Sequence, residues 1–326
     1  MSKLITEKKH LIKVPDIKKP ERIDVYLTNH IENVTRNKIQ FAIKAGLVTV
    51  NNKQVKPNYI VKPFDEIFVI QPIDPRPEEI EPEEIPLDII YEDEHLLVVN
   101  KPAGMVAHPA YANYTGTLVN ALLHHTKKLS NVNDKFRIGI VHRIDKDTSG
   151  LLLVAKDNFT HFKLAEQFSK HTIEREYHAI CWGKFSNPKG QISFKIARSK
   201  SNRKKFTISQ TEGKDAITFY EVIEEFEFAS LIKLKLKTGR THQIRVHLSG
   251  IGKPVFGDRT YGGNKIVFGS ELPDMKARIN NLLNIMKRQA LHAKTIGFLH
   301  PITKIFMRFD SDLPDDFKEL LKKLRR

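Results

Sequence analysis

The segment from Pro72 to Pro86 constrains the chain more than any other, because its five prolines (Pro72, Pro75, Pro77, Pro82 and Pro86), set among glutamates, can neither continue a helix nor donate to a sheet ladder. It reads as an extended linker. A chain of 326 residues has room for about two domains. This boundary predicts an N-terminal extension over 1–19, a small module over 20–71, the linker over 72–86 and a larger module over 87–326.

In the first module, Glu21–Leu27 and Thr35–Ile43 read as two amphipathic helices, Thr35 capping the second and Gly46 stopping it. Leu47–Val50 and Lys53–Val55, joined by Asn51-Asn52, read as a hairpin-like strand pair, and Asp65–Val69 as a closing strand. Beyond Leu87, β-branched strands at Leu96–Val99, Leu151–Ala155, Ala179–Trp182 and Ile232–Leu236 mix with helical periodicity at Thr117–His125, Thr160–Lys170 and Asp315–Arg326. The last helix opens after Pro314 with Asp315 and Asp316 and closes on Lys322, Lys323, Arg325 and Arg326, as the helix dipole favours. Parity within Gln243–Leu248 reads as a strand, with Gln243, Arg245 and His247 on one face and Ile244, Val246 and Leu248 on the core-like other. The mixture predicts the α+β class.

Charge narrows the partners. The net charge is +16, from 54 Lys and Arg against 38 Asp and Glu. Residues 74–94 hold ten of the acids and one basic residue, Arg76, which leaves 53 basic against 28 acidic residues elsewhere, an excess of 25. Such a field favours polyanions; an anionic membrane surface and plain solubility are the alternatives. The 40% hydrophobic content is enough to bury a core, and the single cysteine, Cys181, excludes an intramolecular disulfide and points to a reducing compartment, the cytoplasm by default. Met1–Pro15 lacks the apolar stretch of a secretory signal, and no apolar run approaches the roughly 20 residues of a membrane span. A Walker-type loop, an HExxH helix and a GxGxxG turn are absent, which leaves catalysis without a cofactor and indicates no metal site. With no heptads or long exposed apolar stripe, a monomer is the default.

Residues 140–150, Ile-Val-His-Arg-Ile-Asp-Lys-Asp-Thr-Ser-Gly, set one carboxylate, Asp145, in a turn between apolar segments, close after a His-Arg pair. Taken alone this is also an ordinary Asp/Ser/Gly surface turn. It imitates the start of a calcium loop too, but Ser149 at position five and Lys156 at position twelve, where a bidentate Glu is required, break that pattern.

Four further segments accompany it: Asn100–Pro109 (NKPAGMVAHP), Arg175-Glu176-Tyr177, Lys237–Leu248 (KTGRTHQIRVHL) and Arg288–Ala293 (RQALHA). In this order, with His142-Arg143-Ile144-Asp145 and Thr148-Ser149-Gly150, the chain resembles the RluA/RluD family of pseudouridine synthases. Two departures are minor: Ile144 stands where the family usually has Leu, and Ile138 where Pro is common. Residues 20–71 are similar to the small S-four-type RNA-binding domain, an α/β unit.

The resemblance implies a pseudouridine synthase fold, with a mainly antiparallel sheet and an RNA-binding cleft. It also implies isomerisation of uridine in structured RNA, large-subunit ribosomal RNA foremost. It makes Asp145 the catalytic carboxylate, as a nucleophile or as a base toward the sugar, with Arg245 as its cationic partner. Tyr177 would stack on the extruded uracil or help remove the proton at carbon 5. His142 or Arg143 would fill the space left by the flipped base, and Lys101, Lys237 and Arg240 would hold flanking phosphates, although Lys101 beside Pro102 equally suits a structural role. In the first module Arg22, Arg36, Lys38, Lys44 and Lys53 would contact phosphates, and Lys200–Lys205 (KSNRKK) adds a basic loop. His108 and His292 read as hydrogen-bonded scaffold. Without the resemblance, Arg245 suits a half-buried surface strand and Tyr177 core packing. A transfer RNA substrate and a non-catalytic RNA-binding or ribosome-assembly role are the alternative functions.

Overall fold

The structure, a computed structural model, describes residues 6–16, 20–32, 34–73, 77–110, 113–132, 134–199, 202, 205–269 and 272–326. Chain contacts divide it into two compact units, Met1–Glu78 with Arg198–Lys205, and Glu79–Ala197 with Phe206–Arg326.

The first unit contains β1 (Thr6–Lys13), β2 (Glu21–Arg22), α1 (Ile23–His30), α2 (Arg36–Lys44), β3 (Val48–Val50), β4 (Lys53–Gln54), β5 (Ile60–Val61) and β6 (Glu66–Ile73). One sheet has the order β1-β6-β3-β4, and β2 pairs separately with β5. Apolar side chains of both helices, among them Ile23, Leu27, Ile39 and Ile43, bury against Val48, Val61 and Val69. The Thr35 hydroxyl accepts the Lys38 amide at 3.3 Å, so it caps α2 as the sequence predicts. Asn51 and Asn52, at φ 49° and 64°, supply the left-handed pair that a tight hairpin between β3 and β4 needs.

Two readings change here. Thr6–Lys13 is no loose extension, because it pairs antiparallel with β6 from Thr6 opposite Ile73 to Lys13 opposite Glu66. The linker also begins later than Pro72. β6 runs through Pro72, where it pairs with β1 only, since its register with β3 ends at Val69, and an edge position tolerates a residue without an N–H. Within the second unit the rest of the proline segment is tied down. Asn120 donates its side-chain amide to Glu81 O at 2.8 Å, Glu83 N donates to Asn120 O at 3.0 Å, and the Glu83 carboxylate accepts Gly116 N. Asp74, Pro75 and Arg76 lie outside the described residues, as do four of the six residues of the Lys200–Lys205 basic run.

The second unit contains β7 (Ile89–Glu92), β8 (Leu96–Lys101), α3 (Leu118–His125), β9 (Ser149–Ala155), α4 (Asn158–Ser169), β10 (Glu174–Trp182), β11 (Lys189–Arg198), β12 (Phe206–Ser209), β13 (Lys214–Glu225), β14 (Ala229–Leu236), α5 (Gln243–Gly250), α6 (Pro273–Ile285), β15 (Leu291–Leu299), β16 (Phe306–Asp310) and α7 (Asp315–Leu324). These strands form one sheet, in the order β12-β11-β13-β14-β10-β15-β9-β8-β7 with β16 beside β15. Where the register is described, the pairing is antiparallel except that β9 meets β15 in parallel. A large core that includes Trp182, Leu152, Ile180, Ile232, Phe256 and Phe317 packs against it, with a smaller cluster around Leu96, Leu164 and Phe298 beside it.

The strand predicted over Gln243–Leu248 is the helix α5. Two-residue parity had no meaning there, because all six residues are buried. At helical spacing, Gln243 and His247 face β13, where both reach the Thr218 hydroxyl at 3.0 Å, while Ile244 and Leu248 enter the core. Arg245 is left to point elsewhere.

Buried histidines make this unit sensitive to acid. Burial, the leading cause each time, lowers His142 to about 3 and His108, His247 and His292 to about 4. An unfolded histidine takes up a proton below about 6.5, whereas these stay neutral until the pH nears 4. Across that interval the unfolded state binds more protons. Stability is therefore complete above 6.5 and declines as pH falls, by about 1.4 kcal/mol per pH unit for each group fully separated. Urea midpoints should drop steadily between pH 6.5 and 4.5, and His292→Gln should lessen the slope; equal slopes for the variant and the parent would contradict this origin.

Candidate active site

Asp145 lies between β8 and β9, in a turn closed by Thr148 N donating to Asp145 O at 3.1 Å. The segments singled out in the sequence converge on this turn. From the first, the fully buried Lys101 donates to the carbonyls of Pro102 (2.7 Å), Met105 (2.9 Å) and Lys146 (3.1 Å). Gly104 N donates to Lys146 O at 2.9 Å. From the last, Arg288 donates to Asp147 O, Gln289 to the Thr148 hydroxyl, and His292 Nδ1 is hydrogen-bonded to the Ser149 hydroxyl at 2.9 Å. Arg288 is itself held through two nitrogens by Asp316 of α7. Gly150, at φ +115°, lets β9 approach β15 so closely that a Cβ would lie 2.2 Å from Ala293 O.

A cavity of about 520 Å³ opens in front of this turn, of the size that holds a nucleoside. Asp145, Tyr177, Arg245, His142, Arg143 and Arg240 all line it. Arg245 Nη1 donates to Asp145 Oδ2 at 2.9 Å. The opposite edge of the same guanidinium is forked by Asp258, which accepts Nε at 2.7 Å and Nη2 at 2.9 Å. Asp258 is fully buried and also accepts the amides of Thr260 and Tyr261. Burial works against the charge on Arg245, yet the hydrogen bonds and fields of Asp258 and Asp145 outweigh it and raise its pKa. One oxygen of Asp145 is thus fixed and charge-paired, while the other, Oδ1, has no hydrogen bond among the described residues, and Asp145 lines the cavity.

Tyr177 sits at a β-bulge between Glu176 and Tyr177 in the pairing of β10 with β15, a device that re-aims a side chain. Burial, and to a lesser degree Asp145, raise its phenol, with Arg175 opposing. The neutral ring can therefore stack, and its hydroxyl is no base at neutral pH.

The other predicted contacts separate. Lys101 cannot reach a phosphate, because its ammonium is enclosed by three carbonyls; burial draws it to about 7 against the field of Asp147. His142 is held by its own contacts. Its Nε2 accepts the Leu153 amide at 2.9 Å and its ring lies 4.5 Å from Phe168. Arg143 is exposed and free of that constraint, Arg240 is exposed with Nε on Asp215 O, and Lys237 is exposed outside the cavity lining. His292 bridges the Ser149 and Ser311 hydroxyls as scaffold, whereas His108 Nδ1 has no partner among the described residues. In the first unit Arg22 and Arg36 both bind the buried Asp24 yet keep side chains 43% and 50% exposed, and Lys38, Lys44 and Lys53 are exposed. Arg22, Gln40 and Arg36 lower Asp24 to about 2 against the penalty of its burial.

Two residues have no reading in the sequence: Asp258, buried behind Arg245, and His242, which lines the cavity. Asp258 follows Gly257 at φ 78°, an Asx-type turn whose acid had a deeply buried arginine to neutralise. His242 lies within the Lys237–Leu248 motif, and nothing in the spacing places it beside Tyr261 and Asp145. Among the described residues no group of three or more His, Cys, Asp or Glu is arranged to hold a metal.

Comparison with known proteins agrees with this geometry. Residues 95–250 match the family described as RNA pseudouridylate synthase, and residues 21–67 match the S4 domain. An RNA pseudouridine synthase of Chlorobaculum parvum is 48% identical over 96% of either chain. The ribosomal large subunit pseudouridine synthase D of Zymomonas mobilis is 46% identical over 93% of each. The solved structure of human RNA Pseudouridylate Synthase Domain Containing 4, 24% identical, superposes with a TM-score of 0.55 over 73% of this chain and 92% of that one, which shows the common fold. An identity of 48% sustained along almost the entire sequence leaves one assignment: the chain belongs to the RNA pseudouridine synthase family.

Proposed function

We propose that this synthase isomerises uridines of large-subunit ribosomal RNA, with Asp145 as the catalytic carboxylate. The observation that carries the proposal is the Asp145–Arg245–Asp258 chain, which pairs one oxygen of the cavity-lining Asp145 with a buried, clamped guanidinium beside a nucleoside-sized cavity. The substrate is taken from the Zymomonas relative, a ribosomal large subunit pseudouridine synthase D.

In the reaction the N1–C1′ bond breaks, the uracil turns, and C5 bonds to C1′; C5 gives up its proton and N1 gains one. Atoms and electrons balance without an external donor. Asp145 Oδ1 serves either by adding to C1′ or by taking the C2′ proton, and in both cases Arg245 holds its charge. Tyr177 stacks on the turning base. Arg143, at the rim, enters the space the uridine vacates, and Arg240 holds a neighbouring phosphate. Residues 20–71 with the strand Thr6–Lys13 act as the RNA-binding module, through Arg22, Arg36, Lys38, Lys44 and Lys53, and residues 87–326 as the catalytic domain. The protein works as a cytoplasmic monomer; no helix among the described residues is long and apolar enough to cross a membrane.

Unmodified large-subunit, small-subunit and transfer RNA labelled with tritium at uracil carbon 5 test this. Release from large-subunit RNA, naked or partly assembled, is the expected result. Release from transfer RNA alone would overturn the substrate, and none from any RNA would overturn the reaction.

A further inference from the structure

His242 stands on the free side of Asp145. Its Nε2 is 3.8 Å from Asp145 Oδ1, too far for a hydrogen bond but close enough for both atoms to hold one substrate atom between them. The state of the imidazole is fixed from behind. Phe206 N donates to the Tyr261 hydroxyl oxygen at 3.1 Å, and that hydroxyl lies 2.8 Å from His242 Nδ1. Having received the amide hydrogen, the phenol directs its own at Nδ1, its one acceptor among the described residues. Nδ1 is therefore the acceptor, and Nε2 carries the hydrogen toward the cavity. Burial raises Tyr261 to about 12, so its hydroxyl stays protonated, and burial lowers His242 against the field of Asp145, so the ring stays neutral. The rings of Tyr261 and Phe206 meet that of His242 edge-on at 5.7 and 5.8 Å, and His242 is held in the left-handed region at φ 56°. A non-glycine residue kept there beside a reactive carboxylate is strain that its surroundings must enforce.

One donor and one acceptor 3.8 Å apart match a group that does both. A hydroxyl accepts from Nε2–H while donating to Oδ1; the ring oxygen O4′ and the uracil carbonyls only accept, and would be repelled by Oδ1. The hydroxyl beside the carbons on which Asp145 acts is the ribose 2′-OH. We propose that His242 Nε2–H and Asp145 Oδ1 together grip the 2′-hydroxyl of the target uridine, and that Tyr261 positions His242 for this, so that the pocket selects ribose over deoxyribose. This rests on the reading of Asp145 given above.

The test uses two stem–loop oligonucleotides that differ only in uridine or 2′-deoxyuridine at the target position, with equilibrium binding as the readout; isomerisation leaves the 2′-hydroxyl in place, so the comparison holds through turnover. The full-length protein should prefer the ribose form by about tenfold, the worth of one good hydrogen bond. His242→Ala should reduce that preference to less than about twofold, Tyr261→Phe should weaken it, and His242→Gln, which restores an N–H donor, should recover part of it. A preference undiminished in His242→Ala, or absent from the parent, would overturn the proposal. Tritium release from the ribose oligonucleotide by the unaltered protein reports separately on Asp145 chemistry, so a failure of that reading is told apart from a failure of this one.

Discussion

Asp145→Asn should abolish tritium release, lowering the single-turnover rate by at least about a thousandfold, while RNA affinity changes by less than about threefold. The contrast follows from how the side chain is held. Asp145 makes one strong contact, from Arg245 Nη1 at 2.9 Å, and Arg245 keeps its two bonds to Asp258 when that contact weakens. The turn is held by groups other than the Asp145 carboxylate: Lys101 and Gly104 on the Lys146 carbonyl, Arg288 on the Asp147 carbonyl and Gln289 on the Thr148 hydroxyl. The amide therefore fills the same space in an unchanged loop, lacking only the charge and basicity that either route at the sugar requires. A rate within tenfold of the parent, with intact folding by circular dichroism, would remove Asp145 from the chemistry.

How much of this arrangement could be read beforehand depended on whether a residue's task was local. The Thr35 cap, the Asn51-Asn52 turn and the helix after Pro314 rest on neighbours within a few positions, and each forms where the sequence predicts it. The Asp145 turn was legible for the same reason, and its pairing with Arg245 came from the family resemblance. Where burial is complete, pattern carries no information. Gln243–Leu248 is enclosed on every side, so alternation that looked like a strand was compatible with a helix. Lys101 shows the same limit, since its sequence position suits a phosphate contact and a structural role equally, and only the three carbonyls that take up its hydrogens distinguish them. Asp258 and the relay from Phe206 through Tyr261 to His242 depend on residues brought together only by the loops around α5, and no spacing in the chain announces them.

Asp258→Asn should be the most destabilising single change near the cavity that leaves the Asp145 loop itself untouched. Asp258 has no solvent exposure and Arg245 almost none, so removing the carboxylate's charge leaves a buried guanidinium whose only remaining anion is Asp145. Breaking a buried pair from one side costs about 3–5 kcal/mol, which in a unit of this size lowers the melting temperature by roughly 6–20 °C. Activity should fall with it, because a guanidinium no longer clamped at Nε and Nη2 cannot present Nη1 to Asp145 in one place. The asparagine oxygen can still accept the Thr260 and Tyr261 amides, so the surrounding turn is not the source of the loss. Adding Arg245→Met to Asp258→Asn removes the stranded charge and should restore much of the stability, since Asp145, half-buried at the cavity, can be solvated from there, while catalysis stays lost. Thermal melts and tritium release on the three variants separate the two effects. A double variant no more stable than Asp258→Asn alone would mean that the arginine's charge was never the destabilising element, and the clamp would have to be explained by packing instead.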